Sequence, residues 1–188
     1  MNSTAINKET IILGIDPGTV IMGYALVLVK AKKPSLLVSG VLKLNKLEDQ
    51  TLRLKKIFER TISLIDEFHP DELAIEAPFF GKNVQSMLKL GRAQGVAIAA
   101  ALSRQLPVFE YSPRKIKQSV TGNGNASKEQ LAAMIGNHIE LKETLEYLDA
   151  SDALGVALCH HFQNNPAKKN KSYSGWEAFI NANPGRKA

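Results

Sequence analysis

Apolar residues run almost unbroken from Thr10 to Ile15, a short β-rich stretch that closes on the turn Asp16-Pro17-Gly18-Thr19. Met22 to Val29 and Leu36 to Leu44 repeat the β pattern, with Pro34 and Ser35 marking the turn between them. Three strands on short connections predict an antiparallel meander. The period then changes: Leu52, Ile57, Phe58, Ile62, Leu64, Ile65 and Phe68 recur at helical spacing over 48–68, and Pro70 stops the pattern. Glu72 to Glu76 reads as a fourth, short strand ended by Pro78. Residues 83–104 read as a helix containing Gly91 and Gly95, each costing about 1 kcal/mol against Ala, which predicts close packing against a neighbour. Val108 to Tyr111 is a fifth strand, and Pro113 to Val120 opens another helix. Gly122, Gly124 and two asparagines form a flexible loop. Ser127 and Gln130 then stand at capping-box spacing, predicting a helix to about Glu140. A final helix spans about Ala150 to Phe162.

The order β-β-β-α-β-α-β-α-α-α predicts an α/β domain: a five-stranded mixed sheet, an antiparallel meander extended by parallel strands through right-handed crossovers, flanked by helices. This is the element order of the RNase H-like fold, and also of one half of an actin-like ATPase. With 188 residues, a single domain over 1–165 is expected. Past Pro166 the periodicity is lost; Trp176, Phe179 and Ile180 suit a short docking segment, but 166–188 reads as an irregular basic tail.

Composition narrows the setting. No apolar run approaches the roughly 18 residues needed to cross a bilayer, and residues 1–10 do not read as a signal peptide. The lone Cys159 sits in an apolar helical run and reads as packing. A cytoplasmic protein with no membrane association is expected. Net charge is +6, of which +4 lies in residues 164–188. That favours a polyanionic partner only weakly.

The informative residues are acidic. Asp16 ends the first strand and Glu76 the fourth, so parallel pairing of those strands brings both carboxylates to one sheet edge, where α/β proteins bind ligands. Asp149 and Asp152, three apart at the start of the last helix, share a face. Each has a plain alternative: Asp16 as a turn residue, Asp149 as a helix cap, Asp152 as a partner of the helix dipole. Glu76 is harder to dismiss, because an unpaired carboxylate ending a buried strand is expensive. Jointly, clustered carboxylates repel unless a cation neutralises them. Mg²⁺ accepts a few carboxylates together with water and phosphate, and a pair of such ions roughly 4 Å apart suits phosphodiester cleavage. Zinc is disfavoured, since His69, His138, His160 and His161 lack Cys/His ligand spacing.

The string Ile12 to Thr19 with Gly23-Tyr24 resembles the amino-terminal motif of the RuvC family of Holliday-junction resolvases. Ala74-Ile75-Glu76 with Phe79 and Lys82-Asn83, Leu88 to Gly91 with Gly95-Val96-Ala97, Val108 to Tyr111, Arg114, Lys117-Gln118, Lys128, and Asp149 to Leu154 are similar to later motifs of that family, in order, over roughly 10–163. The resemblance implies a homodimeric endodeoxyribonuclease, active in homologous recombination and DNA repair, that nicks two strands of a four-way junction symmetrically and works with the branch-migration proteins RuvA and RuvB. It implies that Asp16, Glu76, Asp149 and Asp152 hold Mg²⁺, two ions per site with Mn²⁺ as a substitute. It places Phe79 near the junction centre, with Phe80 beside it, and Lys117 and Lys128 near the scissile strand; Arg114 is expected among the DNA contacts.

Independent reading of the residues agrees in part. Phe79-Phe80-Gly81 follows a strand end and a proline, where an exposed loop suits base stacking worth roughly 1–3 kcal/mol, although a core aromatic pair is the alternative. Lys117 and Lys128 flank the glycine loop, as phosphate contacts or as plain surface lysines. Residues 1–163 hold 19 basic and 17 acidic groups, so neutralising the four carboxylates would leave that body at +6. Symmetric cutting calls for a two-fold dimer, and the helix with Gly91, Gly95 and Ala97 to Ala101 offers a surface for it. Three rivals stand beside this reading: a one-lobed relative of actin-like ATPases, a RuvC-like nuclease acting on structured RNA, and a junction binder without catalysis.

Overall fold

The computed structural model describes residues 9–78, 83–139 and 148–164. Its elements are β1 (Thr10–Asp16), β2 (Ile21–Lys30), β3 (Lys33–Lys43), α1 (Gln50–Phe68), β4 (Glu72–Glu76), α2 (Val84–Ser103), β5 (Val108–Tyr111), α3 (Pro113–Thr121), α4 (Lys128–Ile135) and α5 (Leu148–Asn164). One sheet runs in the order β3-β2-β1-β4-β5. β1, β2 and β3 pair antiparallel, while β1 with β4 and β4 with β5 pair parallel. The fold is the RNase H-like α/β arrangement that the element order predicts.

Both faces of the sheet are covered, which is why β1 reads as a continuous apolar run rather than an alternation. Leu13, Ile15, Met22, Leu26, Leu73 and Ile75 pack with α1 and α2 residues such as Ile57, Leu64, Ala93 and Ala97. Ile12, Ala25, Val27 and Ala74 pack on the other side against α3, α4 and α5. Since side chains alternate along a strand, Asp16 falls on the same face as Ile12, and Glu76 on the same face as Ala74. That is the face α5 covers.

Four local expectations differ from what is observed. The β2–β3 turn is Ala31-Lys32, with φ of 51° and 65°, rather than Pro34-Ser35. Pro34 is instead tolerated in β3 because β3 is an edge strand. Gly91 and Gly95 are not closely packed among the described residues: a Cβ at either would meet no described atom within 4 Å, so both lie on a face of α2 that those residues leave open. The capping box of Ser127 and Gln130 forms as predicted, but α4 stops at Ile135 and gives way to turns at Gly136. The glycine loop before α4 is tied down rather than loose. Gln118 donates to the Gly122 carbonyl at 2.7 Å and accepts from the Gly124 amide at 3.0 Å, and Thr121 and Asn123 bond each other.

Phe79 and Phe80, the first eight residues and the tail after Asn164 lie outside the described residues. No helix among the described residues is long and apolar enough to cross a membrane.

Candidate active site

Asp16 is the last residue of β1, and the chain turns at once. A Cβ on Gly18 would lie 1.8 Å from the Ile21 carbonyl oxygen, so this turn closes only with glycine. Arg53 of α1 holds the far side, donating to the carbonyls of Thr19 (2.9 Å) and Leu47 (2.6 Å). Ile15 and Ile75 are register partners in the parallel β1–β4 pair, so the next residue of each strand, Asp16 and Glu76, emerges at one edge.

The remaining carboxylates arrive on α5, which can approach the sheet closely because two strand positions lack side chains. A Cβ on Gly14 would lie 2.3 Å from the Ala153 carbonyl oxygen, and one on Gly23 would lie 2.0 Å from that of Asp149. Ala153 and Ala157 complete the seat. This brings one carboxylate oxygen each from Asp16, Asp149 and Asp152 within 4.8 Å of one another. Glu76 is not in that trio, but it lines the same cavity of about 260 Å³ with Asp16, Asp152, Lys117, Lys128 and Pro113. Lys128, the first residue of α4, forms an ion pair with Asp152 and lies 3.5 Å from Asp149.

Electrostatics follow from this crowding. Burial, then the charge of Asp152, pushes the Asp16 carboxyl up to about 7, with Lys128 opposing. Burial, then Asp16 and Asp152, pushes Glu76 up to about 8, against Lys128 and Lys117. Asp152 is raised by burial, although the Lys128 hydrogen bond works the other way. A cluster in which burial and mutual repulsion keep carboxyls protonated toward neutral pH despite Lys128, and that offers only oxygen ligands, suits a hard divalent cation.

Of the expected DNA contacts, Lys117 and Lys128 reach this cavity. Arg114 does not: it packs against Gly124 and lines a separate surface cavity of about 370 Å³ with Ser112, Lys115, Gln118 and Gln163.

The sequence matches the family model for crossover junction endodeoxyribonuclease RuvC over residues 12–160. The chain belongs to the RuvC family. It is 61% identical over 176 residues to the crossover junction endodeoxyribonuclease RuvC of Cytophaga hutchinsonii, covering 94% of this chain and 87% of the relative. It is 56% identical over 181 residues to that of Christiangramia forsetii, covering 96% and 94%. The Thermus thermophilus RuvC structure in complex with Holliday junction substrate superposes with a TM-score of 0.75 at 35% identity, covering 82% of this chain and 94% of that one. The resemblance read from the motifs therefore holds along the domain. The carboxylate cavity lies within the matched span.

Sequence reasoning missed two features of this RuvC-family chain. The role of Gly14 and Gly23 as the seat of α5 depends on a contact more than a hundred positions away. A buried chain, Tyr111 Oη to His160 Nδ1 (2.7 Å) and His160 Nε2 to Glu72 Oε2 (2.7 Å), links β5, α5 and β4. The spacing of Glu72 two residues before Ala74, on the α5 face, was its one available signal.

Proposed function

We propose that this chain resolves four-way DNA junctions by symmetric paired nicks, using a divalent metal held by Asp16, Glu76, Asp149 and Asp152. The observation that carries the reading is the convergence of Asp16, Glu76 and Asp152 from β1, β4 and α5 in one cavity beside Lys117 and Lys128, with an Asp149 oxygen within 4.8 Å of those of Asp16 and Asp152, in a chain of this family. Mg²⁺, two ions per site, is the proposed cofactor, with Mn²⁺ able to substitute. When bound, it would supply stabilisation of charge on the phosphodiester and activation of the attacking water.

The chain's own residues do the rest. Asp16, Asp149 and Asp152 present oxygens at ligand spacing. Glu76, which lines the same cavity as Asp16 and Asp152, completes the acidic wall. Lys117 and Lys128 attract and orient the phosphate backbone at the cavity mouth without reading sequence. Phe79 and Phe80, directly after β4 and Pro78, are proposed to stack on bases near the junction centre, and Arg114 to contact backbone at a distance from the cut.

A two-fold homodimer is proposed because symmetric nicks need two equivalent sites. The open face of α2 suits a second copy: Val84, Leu88 and Leu102 are 63%, 52% and 59% exposed, and Gly91 and Gly95 leave room for close approach. Residues 1–165 are proposed as the nuclease domain, acting in the cytoplasm in recombination and repair alongside RuvA and RuvB.

The test is cleavage of a synthetic four-way junction with Mg²⁺, beside linear duplex and structured RNA, by the wild type and a Glu76→Gln variant. Paired nicks in the junction alone, lost in the variant, are expected. Preferential cleavage of RNA, or ATP binding without any nuclease activity, would overturn the reading.

A further inference from the structure

The cation that faces the carboxylates in this structure belongs to the chain itself. The Lys128 ammonium touches Asp152 and lies 3.5 Å from Asp149 Oδ1, and these two share with Asp16 the group of oxygens within 4.8 Å. The Asp152 side chain is only 8% exposed, and a buried carboxylate without a partner is costly. Helix formation gives no reason for a lysine there. Lys128 follows the N-cap Ser127, where the positive end of the helix disfavours a cation. The Ser127/Gln130 capping box fixes its backbone, while the long side chain is half exposed and has room to swing away.

We propose that Lys128 is a tethered placeholder, whose ammonium holds the Asp149–Asp152 pair before metal arrives and is displaced by the incoming divalent cation. The proposal rests on the reading of these carboxylates as metal ligands. It makes metal loading an exchange of cations rather than the filling of an open acidic site. It also couples two events: the ammonium becomes available to substrate phosphate only once the carboxylates have another counter-charge.

Lys117 provides the comparison. It lines the same cavity and lowers the Glu76 and Asp152 carboxyls through space. Among the described residues, however, it forms no ion pair with the trio. Removing either lysine removes one positive charge from the cavity, but only Lys128 stands where the ligand oxygens converge.

The experiment is calorimetric titration of the full chain with Mn²⁺, without DNA, for wild type, Lys128→Met, Lys128→Arg, Lys117→Met and Asp152→Asn, together with melting curves in chelator. Lys128→Met is expected to bind Mn²⁺ on the order of tenfold more tightly, Lys117→Met by less than about threefold, and Lys128→Arg like wild type. In chelator Lys128→Met should melt below wild type, and saturating Mn²⁺ should close the gap. Equal tightening by Lys128→Met and Lys117→Met, or by Lys128→Arg, would overturn the placeholder. Wild-type binding that is lost in Asp152→Asn but unchanged in Lys128→Met would also overturn it, leaving the metal site intact. No Mn²⁺ binding by wild type or Lys128→Met would sink the metal reading and this proposal together.

Discussion

Gly23 on β2 lies directly beneath Asp149 on α5, so close that a Cβ there would come within 2.0 Å of the Asp149 carbonyl oxygen. The atom in the way is backbone, which cannot rotate aside. Gly23→Ala must therefore lift the start of α5 and carry Asp149 and Asp152 away from Asp16. We expect a loss of about 1–3 kcal/mol in stability, the usual cost of overpacking, and a drop in cleavage larger than that loss explains. Melting curves and single-turnover cleavage at saturating enzyme separate the two; full activity with an unchanged Tm would refute the seat.

The raised carboxyls make a pH prediction for the metal-free protein. Asp16 and Glu76 titrate near 7 and 8 when folded but near about 4 when unfolded. The native state thus holds more protons than the unfolded chain between those limits, and its stability falls as pH rises from about 4 to 8. In chelator the Tm should decline over this window, less steeply in Asp16→Asn. Metal affinity should rise over the same window as the protons leave. A Tm that climbs with pH would contradict the burial of these groups.

Isosteric removal of charge separates chemistry from folding. Asp16→Asn and Glu76→Gln replace buried carboxyls that already hold much of their proton at neutral pH without metal, so neither should destabilise the metal-free protein there, yet each should lower junction cleavage by on the order of a thousandfold or more. Intact cleavage in Glu76→Gln would remove Glu76 from the site.

Phosphate contact has its own signature. Lys117→Ala should weaken junction binding alike for all sequences and reduce the slope of log affinity against log salt by about 0.9. Fluorescence anisotropy over a salt series reads it; an unchanged slope would place Lys117 off the DNA.

The buried chain away from the cavity predicts stability without chemistry. A carboxylate only accepts, so His160 donates through Nε2 to Glu72 and accepts at Nδ1 from the Tyr111 hydroxyl. Tyr111→Phe should cost about 1 kcal/mol. His160→Ala, which leaves a cavity and strands the Tyr111 hydroxyl, should cost about 2–4 kcal/mol. Metal affinity should not change in either; chemical denaturation and the Mn²⁺ titration check the pair.

What could be read in advance depended on how local the cause was. Strands β1 and β4 were legible because their apolar runs end abruptly on Asp16 and Glu76, and parallel pairing then leaves those residues little choice of edge. The capping box of α4 was legible because Ser127 and Gln130 satisfy each other within one turn. The Ala31-Lys32 turn was not, since neither residue favours positive φ and Pro34 next to it carries the stronger turn signal. Gly91 and Gly95 were legible only in part, because a helical glycine announces that room is needed without saying whether this chain or a second copy fills it. Gly14 and Gly23 were visible only as letters of the amino-terminal motif, without their reason: it is a helix that arrives at the other end of the sequence.

That last arrangement has a consequence for when the protein becomes dangerous. The proposed ligand trio draws Asp16 from the first strand and Asp149 and Asp152 from the last helix. A chain still emerging during synthesis can form the β1–β2–β3 meander early, but it cannot gather the trio until its final helix has been made and has docked on Gly14 and Gly23. Contacts so distant in sequence form late. On the proposed site, an incomplete or truncated product would therefore carry only part of the acidic cluster, and the order of the elements itself would guard the genome against unfinished copies of the enzyme.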